Sequence, residues 1–393
     1  MVFLIKRLNL IRPVVLVLVA LGCVSCKDEG NKVGTPTVPN ENTISIDPRE
    51  LRTVSFYDHF SEFEIIPLET TPVSIINKVQ KIIFQGGIFY ILDREQSTLF
   101  LFDENGKYID KIARKGKGPG EYSQVYDFNI NKFTGNIELL DPYGELMIYA
   151  PTLEFIESIK IDLRAIHQFY NINRDTVVFY TSSEPEKLSF FSRSRQTVFH
   201  KDFPFNNFGD LSAYPQAGCN NAFIEYNNRI LFAVPFSNII YDITDIKPIE
   251  HTVWDFGKYS FKPENFDQSR GMMYHISYYK NLKNEVFSLL FYYETEKLIL
   301  SRYAFNGTLY TLIFNKSDGK YDIVWQYIEG VYGVDVHTNI ENGVFFRIIN
   351  LEPKSMASYD KVLSDSQREL LKKISPEDNP GIIRYKLKDY GQE

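Results

Sequence analysis

The chain has 393 residues, of which 44% are hydrophobic and 24% charged, and these proportions exclude an intrinsically disordered chain. Its formal net charge of −7, without a cluster of lysine and arginine residues, disfavours a nucleic-acid partner, because phosphate groups repel an acidic chain. The 31 Phe and 26 Tyr residues suit pleated, half-buried surfaces and predict a β-rich protein. An aromatic-lined ligand site is the alternative explanation for this composition.

The first 25 residues have the pattern of a signal peptide. Lys6, Arg7 and Arg12 form a basic region, and the uncharged apolar run 13–21 follows it. This run is too short to span a bilayer as a helix, and small residues and cysteines come directly after it. We therefore predict a cleaved signal peptide over residues 1–25, with a short membrane anchor as the alternative.

A cysteine that follows a small residue at the end of such a run resembles the bacterial lipobox, in which the thiol receives diacylglycerol before cleavage. Cys26 follows Ser25 and precedes Lys27-Asp28-Glu29, which resembles the lipoprotein export signal of Bacteroidota. We favour lipidation at Cys26, with Cys23 as the alternative. The resemblance implies an outer-membrane lipoprotein that is exposed at the cell surface and attached to the membrane through its N-terminal lipid. A periplasm-facing orientation is the alternative.

Residues 26–55 are predicted to form a lipidated tether, because the stretch up to Asn42 is rich in Gly, Pro, Thr and charged residues. Residues 56–393 are predicted to form one folded domain. After removal of the signal peptide and lipidation of Cys26, Cys219 is the one free cysteine, which excludes a disulfide and a cysteine-based metal site. The six histidines include no closely spaced pair of metal ligands. We therefore predict no metal and no cofactor.

An internal repeat organises this domain. Residues 98–112 match residues 145–159 with a constant offset, and Asn105-Gly106 supplies a hairpin turn in the first unit. The strand Gly87–Asp93 has five further copies at Asn136–Asp141, Thr176–Tyr180, Arg229–Val234, Lys297–Tyr303 and Val344–Ile349. Units of roughly 45 residues with four strands are typical of propeller blades.

The two ends of the domain complement each other. Phe60–Leu68 is a strand without a blade, whereas the last unit is short and has only Gly381–Lys388 after its copy of the repeated strand. Pairing these segments would close the ring and remove its open edges. A helix is predicted over Leu363–Ile374, with Ser366 and Glu369 as a capping box. The prediction is an all-β, six-bladed β-propeller closed by an N-terminal strand, with one short helix near the C-terminus; a pair of β-sandwiches is the alternative.

Several short motifs of the chain are distinctive: Ile66-Pro67-Leu68-Glu69-Thr70, Ile91-Leu92-Asp93, Phe102-Asp103 with Gly106-Lys107, Gly116–Tyr122, Asn379-Pro380 and Tyr385–Lys388. Through these motifs the chain resembles a known family, the six-bladed, NHL-like β-propeller lipoproteins of Bacteroidota. The resemblance covers nearly the whole mature chain and is strongest from Ile66 to Ile159. The family implies a fold and a location but no settled activity.

The run Gly116–Tyr122 has the sequence Gly-Lys-Gly-Pro-Gly-Glu-Tyr and lacks the Gly-Lys-Ser/Thr of a phosphate-binding loop. It is interpreted either as a tight crossover between blades or as a ligand contact through Arg114, Lys117, Glu121 and Tyr122. Asp93 and Asp141 recur in successive blades, which favours turn capping over catalysis.

The segment 267–280 is the most prominent insertion. It provides the ligand-binding candidates Arg270, Tyr274, His275 and Tyr278. Aromatic residues beside Arg and His would suit a sugar or a peptide. The alternative is a loop that packs its own aromatic side chains over the ring.

The leading hypothesis is a non-enzymatic binding or scaffold module at the cell envelope, whose partner is a glycan, a peptide or a protein. This hypothesis predicts an exposed aromatic patch. The first alternative is an NHL-like lyase or hydrolase, which predicts His, Asp or Arg side chains that converge at one mouth of the central channel. The second is a docking subunit of an outer-membrane assembly, which predicts a broad apolar face. No nucleophile motif is present, so no catalytic residue is assigned.

Mass spectrometry of the membrane-bound protein should find acyl chains on the peptide that begins at Cys26. The substitution Cys26→Ser should abolish acylation, because it removes the thiol that receives the lipid, whereas Cys23→Ser should leave acylation in place. A mature N-terminus at Cys23 would contradict the assignment.

Overall fold

The computed structural model describes residues 42–181, 185–204, 222–233, 237–262, 267, 270, 272–334, 339–352 and 356–388. Cys23, Cys26, Cys219 and the predicted signal peptide lie outside the described residues. The predictions of cleavage and lipidation therefore stay predictions.

The described strands form six sheets around a ring. Two strands precede the first complete blade, namely β1 (Thr43–Ser45) and β2 (Phe60–Pro67). Blade 1 contains β3 (Val79–Gln85), β4 (Ile88–Asp93), β5 (Thr98–Asp103) and β6 (Tyr108–Ile112). Blade 2 contains β7 (Asp127–Ile130), β8 (Ile137–Leu140), β9 (Glu145–Tyr149) and β10 (Phe155–Lys160). Blade 3 contains β11 (Ile166–Asn171), β12 (Thr176–Thr181), β13 (Glu186–Ser192) and β14 (Thr197–Pro204).

The second half of the ring continues the pattern. Blade 4 contains β15 (Phe223–Tyr226), β16 (Arg229–Ala233), β17 (Ile239–Asp242) and β18 (Ile249–Asp255). Blade 5 contains β19 (Val286–Glu294), β20 (Leu298–Phe305), β21 (Thr308–Asn315) and β22 (Tyr321–Val324). Blade 6 contains β23 (Asn339–Glu341), β24 (Val344–Ile349) and β25 (Gly381–Leu387), with β2 as its outermost strand. The predicted six-bladed β-propeller is confirmed.

The six copies of the repeated strand are the second strands of the six blades, β4, β8, β12, β16, β20 and β24. Strand β4 shows why these runs are apolar on both sides. Phe89 packs with Phe346 of blade 6, whereas Tyr90 and Leu92 pack with Leu139 of blade 2. Alternate side chains of a strand point to opposite faces of its sheet, so a blade that lies between two others needs apolar residues at successive positions.

Strand β2 closes the ring. It pairs antiparallel with β25, so that Phe60 lies opposite Leu387 and Pro67 lies opposite Gly381. The Phe60 side chain is 1% exposed, and its ring centroid lies 4.9 Å from that of Tyr385 and 5.1 Å from that of Phe56. The predicted closure by an N-terminal strand is therefore confirmed.

Residues 42–55, which we call the belt, also bind to the propeller. Strand β1 pairs parallel with β18 as a fifth strand of blade 4, and Leu51 bridges to Ile323 of blade 5. Ile46 is buried in the core between these blades. The folded part of the chain thus begins before the predicted boundary at residue 56, because the Thr-Ile-Ser-Ile alternation after Asn42 supplies a strand.

Besides two 3₁₀ helices of three residues each, the described residues form the α-helices α1 (Phe56–His59), α2 (Met272–Asn281) and α3 (Asp365–Leu371). Helix α3 is the predicted C-terminal helix, but its N-cap is Ser364 and not Ser366, since the Ser364 side chain accepts a hydrogen bond from the backbone N–H of Gln367. The prediction of one helix is incomplete, because α1 begins at a capping box of Ser55 and Asp58 and α2 occupies the predicted insertion. None of these helices is long and apolar enough to span a membrane.

Helix α1 links the belt to blade 5. His59 is buried, and its Nε2 lies 2.9 Å from a carboxylate oxygen of Asp322. This hydrogen bond is the main reason that the pKa of Asp322 is lowered, and Arg52 of the belt adds to the effect from 3.0 Å. The belt and the closing strand are therefore held by both apolar and charged contacts.

The connections between strands differ between the two faces of the ring. We call the face that carries the connections between blades, and the turns from the second to the third strand of each blade, the crossover face. Because neighbouring strands are antiparallel, the remaining connections lie on the opposite face, and each of these has six residues or fewer. The crossover face carries the long connections 113–126, 256–285, 325–338 and 350–380.

The substitution Phe60→Ala should lower the free energy of unfolding by about 3–5 kcal/mol, because it leaves a cavity in the core that joins β2 to β25. The matched control is Tyr143→Ala, whose side chain is 68% exposed and which should change the stability by no more than about 0.5 kcal/mol. Chemical denaturation of the mature chain measures both values. Equal losses for the two variants would contradict the role of Phe60 in closure.

Candidate functional site

The crossover after blade 1 contains four of the predicted ligand-binding residues, and its backbone folds around Glu121. One carboxylate oxygen of Glu121 accepts hydrogen bonds from the backbone N–H groups of Lys117 and Gly118, at 2.9 and 2.8 Å. The side chain of Lys117 is exposed. Glu121 thus stabilises the backbone of the crossover, whereas the side chain of Lys117 faces solvent.

Tyr122 and Arg114 fasten the same crossover to the neighbouring blade. Tyr122 is buried, and its hydroxyl accepts a hydrogen bond from the backbone N–H of Arg114 and donates one to the carbonyl of Ile112. Burial raises the pKa of Tyr122 to about 12. The guanidinium of Arg114 donates to the carbonyl of Leu153 at 3.0 Å and lies over the ring of Tyr149. These contacts favour the interpretation of Gly116–Tyr122 as a structural crossover.

The recurrent aspartates cap turns. The carboxylate of Asp93 accepts hydrogen bonds from the backbone N–H groups of Asn77 and Gln96. The carboxylate of Asp141 accepts from those of Tyr143 and Glu145, both at 2.8 Å. Both residues are buried, which accords with the structural interpretation of the repeat.

The insertion between blades 4 and 5 brings three predicted residues together on and before α2. The guanidinium carbon of Arg270 lies 4.3 Å from the centroid of the Tyr274 ring, which in turn lies 6.1 Å from that of Tyr278. Met273 on the same helix is 74% exposed. The side chain of His275 lies outside the description. The candidates on this helix are accessible from the crossover face, and their role as ligand contacts stays a prediction.

The crossover between blades 5 and 6 presents an aromatic pair that sequence inspection missed. Trp325 is 52% exposed, and its ring lies edge-on to that of Tyr332 with 5.9 Å between centroids. The segment is a short hairpin, in which Gln326 bridges to Tyr332 and the N–H of Tyr327 donates to the carbonyl of Val331. Ile328, at its tip, is 55% exposed. A rigid turn therefore holds exposed aromatic rings in solvent.

This pair belongs to a wider distribution. Eight of the large apolar side chains that are exposed in the described part of the chain lie on the crossover face: Val73, Ile75, Tyr143, Met273, Trp325, Ile328, Tyr332 and Leu370. Exposed apolar side chains that gather on one face are better evidence of a binding surface than single ones scattered over the protein.

A second group of side chains lies where the inner strands reach the crossover face. Nζ of Lys81 lies 2.8 Å from a carboxylate oxygen of Asp127, whose other oxygen accepts a hydrogen bond from the backbone N–H of Phe169 at 3.2 Å. Arg94, in the turn between β4 and β5, lies over the ring of Tyr126. The members of this group come from three blades, because Lys81 lies in blade 1, Asp127 in blade 2 and Phe169 in blade 3.

On the opposite face, the buried carboxylate of Glu294 is surrounded by hydrogen-bond donors. Glu294 receives hydrogen bonds from His251, Tyr292 and Lys316, at 2.7, 2.7 and 2.8 Å. Burial alone would raise the pKa of Glu294, but these partners bring it below its ordinary value. Within the described residues, no group of three His, Cys, Asp or Glu side chains could hold a metal ion.

The fold and this distribution define a six-bladed β-propeller whose long connections, with the exposed Tyr143, Trp325 and Tyr332, lie on one face. The chain belongs to the family described as Domain of unknown function (DUF4934), whose model matches residues 41–386.

Two solved structures are similar to the chain. A protein of Bacteroides fragilis that is described as exported has a TM-score of 0.70 at 17% identity, and the match covers 88% of this chain and 100% of that chain. A member of the DUF4221 family from Bacteroides vulgatus has a TM-score of 0.49 at 9% identity, over 84% of this chain and 98% of that chain. No curated protein matches the chain. The first likeness supports the fold alone, and the NHL-like resemblance stays a prediction.

The substitution Glu121→Ala should speed hydrogen exchange at the amides of Lys117 and Gly118, because both lose their acceptor, and should cost about 1–2 kcal/mol of stability. The control is Lys117→Ala, which removes an exposed side chain and keeps both hydrogen bonds. Unchanged exchange in Glu121→Ala would contradict the structural role of this carboxylate.

Proposed function

We propose that the protein is an exported cell-envelope lipoprotein whose propeller acts as a non-enzymatic binding or scaffold module through its crossover face. The observation that carries this proposal is the gathering of long connections and exposed aromatic side chains on that face, opposite a face of short turns. Long loops on a rigid scaffold are a common location for binding residues. The partner is a glycan, a peptide or a protein.

The Trp325–Tyr332 pair supports recognition of a ligand. Trp and Tyr combine a large apolar ring with a polar atom, and their side chains lose little conformational entropy on binding because few bonds rotate. The hairpin beneath them is already ordered by backbone hydrogen bonds. Preorganised aromatic rings of this kind are the exposed patch that a binding module requires.

The envelope location is supported from two sides. The basic region, the apolar run and the Cys26-Lys27-Asp28-Glu29 sequence have the pattern of a lipoprotein that is exported to the outer membrane. The likeness to a Bacteroides fragilis protein that is described as exported agrees with such a location. On this proposal the propeller is attached to the outer membrane through its N-terminal lipid and exposed at the cell surface.

A lyase or hydrolase with a site at the channel mouth is the second candidate function. The group of Lys81, Arg94 and Asp127 favours it, because charged side chains of two inner strands meet there with one from the turn between β4 and β5. Both carboxylate oxygens of Asp127 are already hydrogen-bonded, however, which weakens this residue as a general base. Binding is therefore the better supported function.

A mature chain that carries Cys26→Ser, and is therefore free of lipid, can be tested on arrays of saccharides and peptides. We expect at least one class of ligand to bind, and Trp325→Ala to weaken that binding about tenfold or more, which corresponds to about 1.4 kcal/mol. The control Ile156→Ala removes a side chain that is 50% exposed on the outer strand β10 and should leave binding unchanged. Equal effects of both variants, or an absence of binding to every array member, would refute the proposal.

A further inference from the structure

Arg94 has an unusual environment for an arginine. It is half-buried in the turn between β4 and β5, and its guanidinium carbon lies 3.0 Å from the centroid of the Tyr126 ring. Among the described residues, no carboxylate or carbonyl accepts a hydrogen bond from this guanidinium. An arginine that has lost much of its hydration usually gains a carboxylate or phosphate partner in return.

The carboxylates near Arg94 accept hydrogen bonds from other groups. Asp127 acts on Arg94 through its charge, but its two oxygens are taken by Lys81 and by the backbone N–H of Phe169. The carboxylate of Asp93, the preceding residue, accepts hydrogen bonds from the backbone N–H groups of Asn77 and Gln96. Lys81 and Arg94 therefore share the charge of Asp127, but of these two described side chains only Lys81 makes a hydrogen bond to its carboxylate.

The charge of Arg94 persists at neutral pH. Burial lowers the pKa of Arg94 to about 10, and the charge of Asp127 opposes this effect. The guanidinium is thus positive under physiological conditions while its hydration is incomplete. An anion bound beside the guanidinium would compensate for the lost hydration. A planar carboxylate would match the geometry of its N–H groups and accept two hydrogen bonds from them.

A row of aromatic side chains continues from Arg94 along the crossover face. The ring of Tyr126 lies 6.3 Å from that of His167, which lies 5.6 Å from that of Tyr180. All three side chains are partly exposed. The C–H faces of a sugar ring pack against aromatic rings, so this row extends the charged position into a surface for a saccharide.

We propose that Arg94 and the row of Tyr126, His167 and Tyr180 form a binding site for an acidic saccharide, whose carboxylate pairs with Arg94. This proposal rests on the proposed binding function of the crossover face and specifies a class of ligand. Lys81 and Asp127 hold the floor of the site in place. A saccharide is favoured over a peptide because the site combines a single arginine that lacks a hydrogen-bonded carboxylate with adjacent aromatic rings.

Titration calorimetry with trigalacturonate, and with a disaccharide that contains glucuronate, tests the site in the lipid-free mature chain. At least one probe should bind, and its methyl ester should bind about tenfold more weakly or worse, because esterification removes the charge that Arg94 recognises. Arg94→Gln should weaken binding of the acid about tenfold or more. Arg94→Lys should give an intermediate loss, since it keeps the charge without the planar fork.

The matched control is Arg229→Gln on the opposite face, where Arg229 has a side chain that is 53% exposed. It removes the same charge and should leave binding unchanged. Thermal unfolding of Arg94→Gln establishes that the variant is folded, and Arg94→Lys provides a second, milder variant. Equal loss in Arg229→Gln would mean that net charge alone drives binding and would overturn the site.

The proposal is also overturned if neither acid binds, if the methyl ester binds as well as the acid, or if Arg94→Gln has no effect. An acetylated tripeptide with a free carboxyl terminus forms the peptide arm, and tighter binding of this peptide than of both sugars would reject the saccharide. Array binding that depends on Trp325 but not on Arg94 would remove this inference and leave the proposed function intact.

Discussion

The pairing of β2 with β25 is the interaction on which the ring depends. Every blade presents two apolar sides, so a missing or loose blade would expose the cores of its two neighbours. The sixth blade has three strands from the C-terminal end of the chain and needs β2 to complete it. The cluster around Phe60, Phe345 and Tyr385 secures this pairing, because the aromatic rings bury a large area where the two ends of the domain meet. Closure also removes open edge strands, which could otherwise pair with strands of another chain.

A closed ring allows its two faces to differ. The short turns on the opposite face maintain strand pairing, and the hydrogen bond between His251 of blade 4 and the buried Glu294 of blade 5 links neighbouring blades there. The crossover face carries segments that lie outside the four-stranded sheets, including α2 and the Trp325 hairpin. The buried side chains of this hairpin, Tyr327 and Val331, pack into the core around Phe60, whereas its exposed rings face solvent. Substitutions of exposed side chains there, such as Trp325, cost the fold little. This face can therefore hold exposed aromatic residues and an unpaired arginine that a core could not accommodate.

Much of the fold could be predicted from the sequence because each blade repeats the same physical requirement. The continuous apolar run of β4 recurs in the second strand of every blade, and Phe60–Leu68 pairs with the last strand of the chain. Helix α2 was missed because Tyr and His residues, which have modest helix propensity, dominate Met272–Asn281. The cap of α3 lies two residues earlier than predicted because Ser364 and Ser366 are equally good candidates in sequence.

The candidate sites were harder to predict because ring closure brings distant residues together. Arg94 meets Tyr126 across a blade boundary, and Lys81 reaches Asp127 in the next blade. Neither contact has a local sequence pattern. The Gly116–Tyr122 run has a conspicuous pattern, yet Glu121 and Tyr122 use their polar atoms within the crossover itself. A recurrent or glycine-rich motif in this fold is better evidence of a turn than of a ligand contact.

The belt has a mechanical consequence for a protein held at its N-terminal end. Tension applied at Asn42 reaches the propeller first through β1, which runs parallel to β18 along the outer edge of blade 4. Force along two parallel strands loads their hydrogen bonds together, in shear, rather than opening them one after another. Beyond β1, the bridge from Leu51 to Ile323 and the contacts of α1 spread the same load over blade 5 before it reaches the closing strand. If the chain is attached through its N-terminus, as proposed, this arrangement protects the seam of the ring from being pulled apart by that attachment.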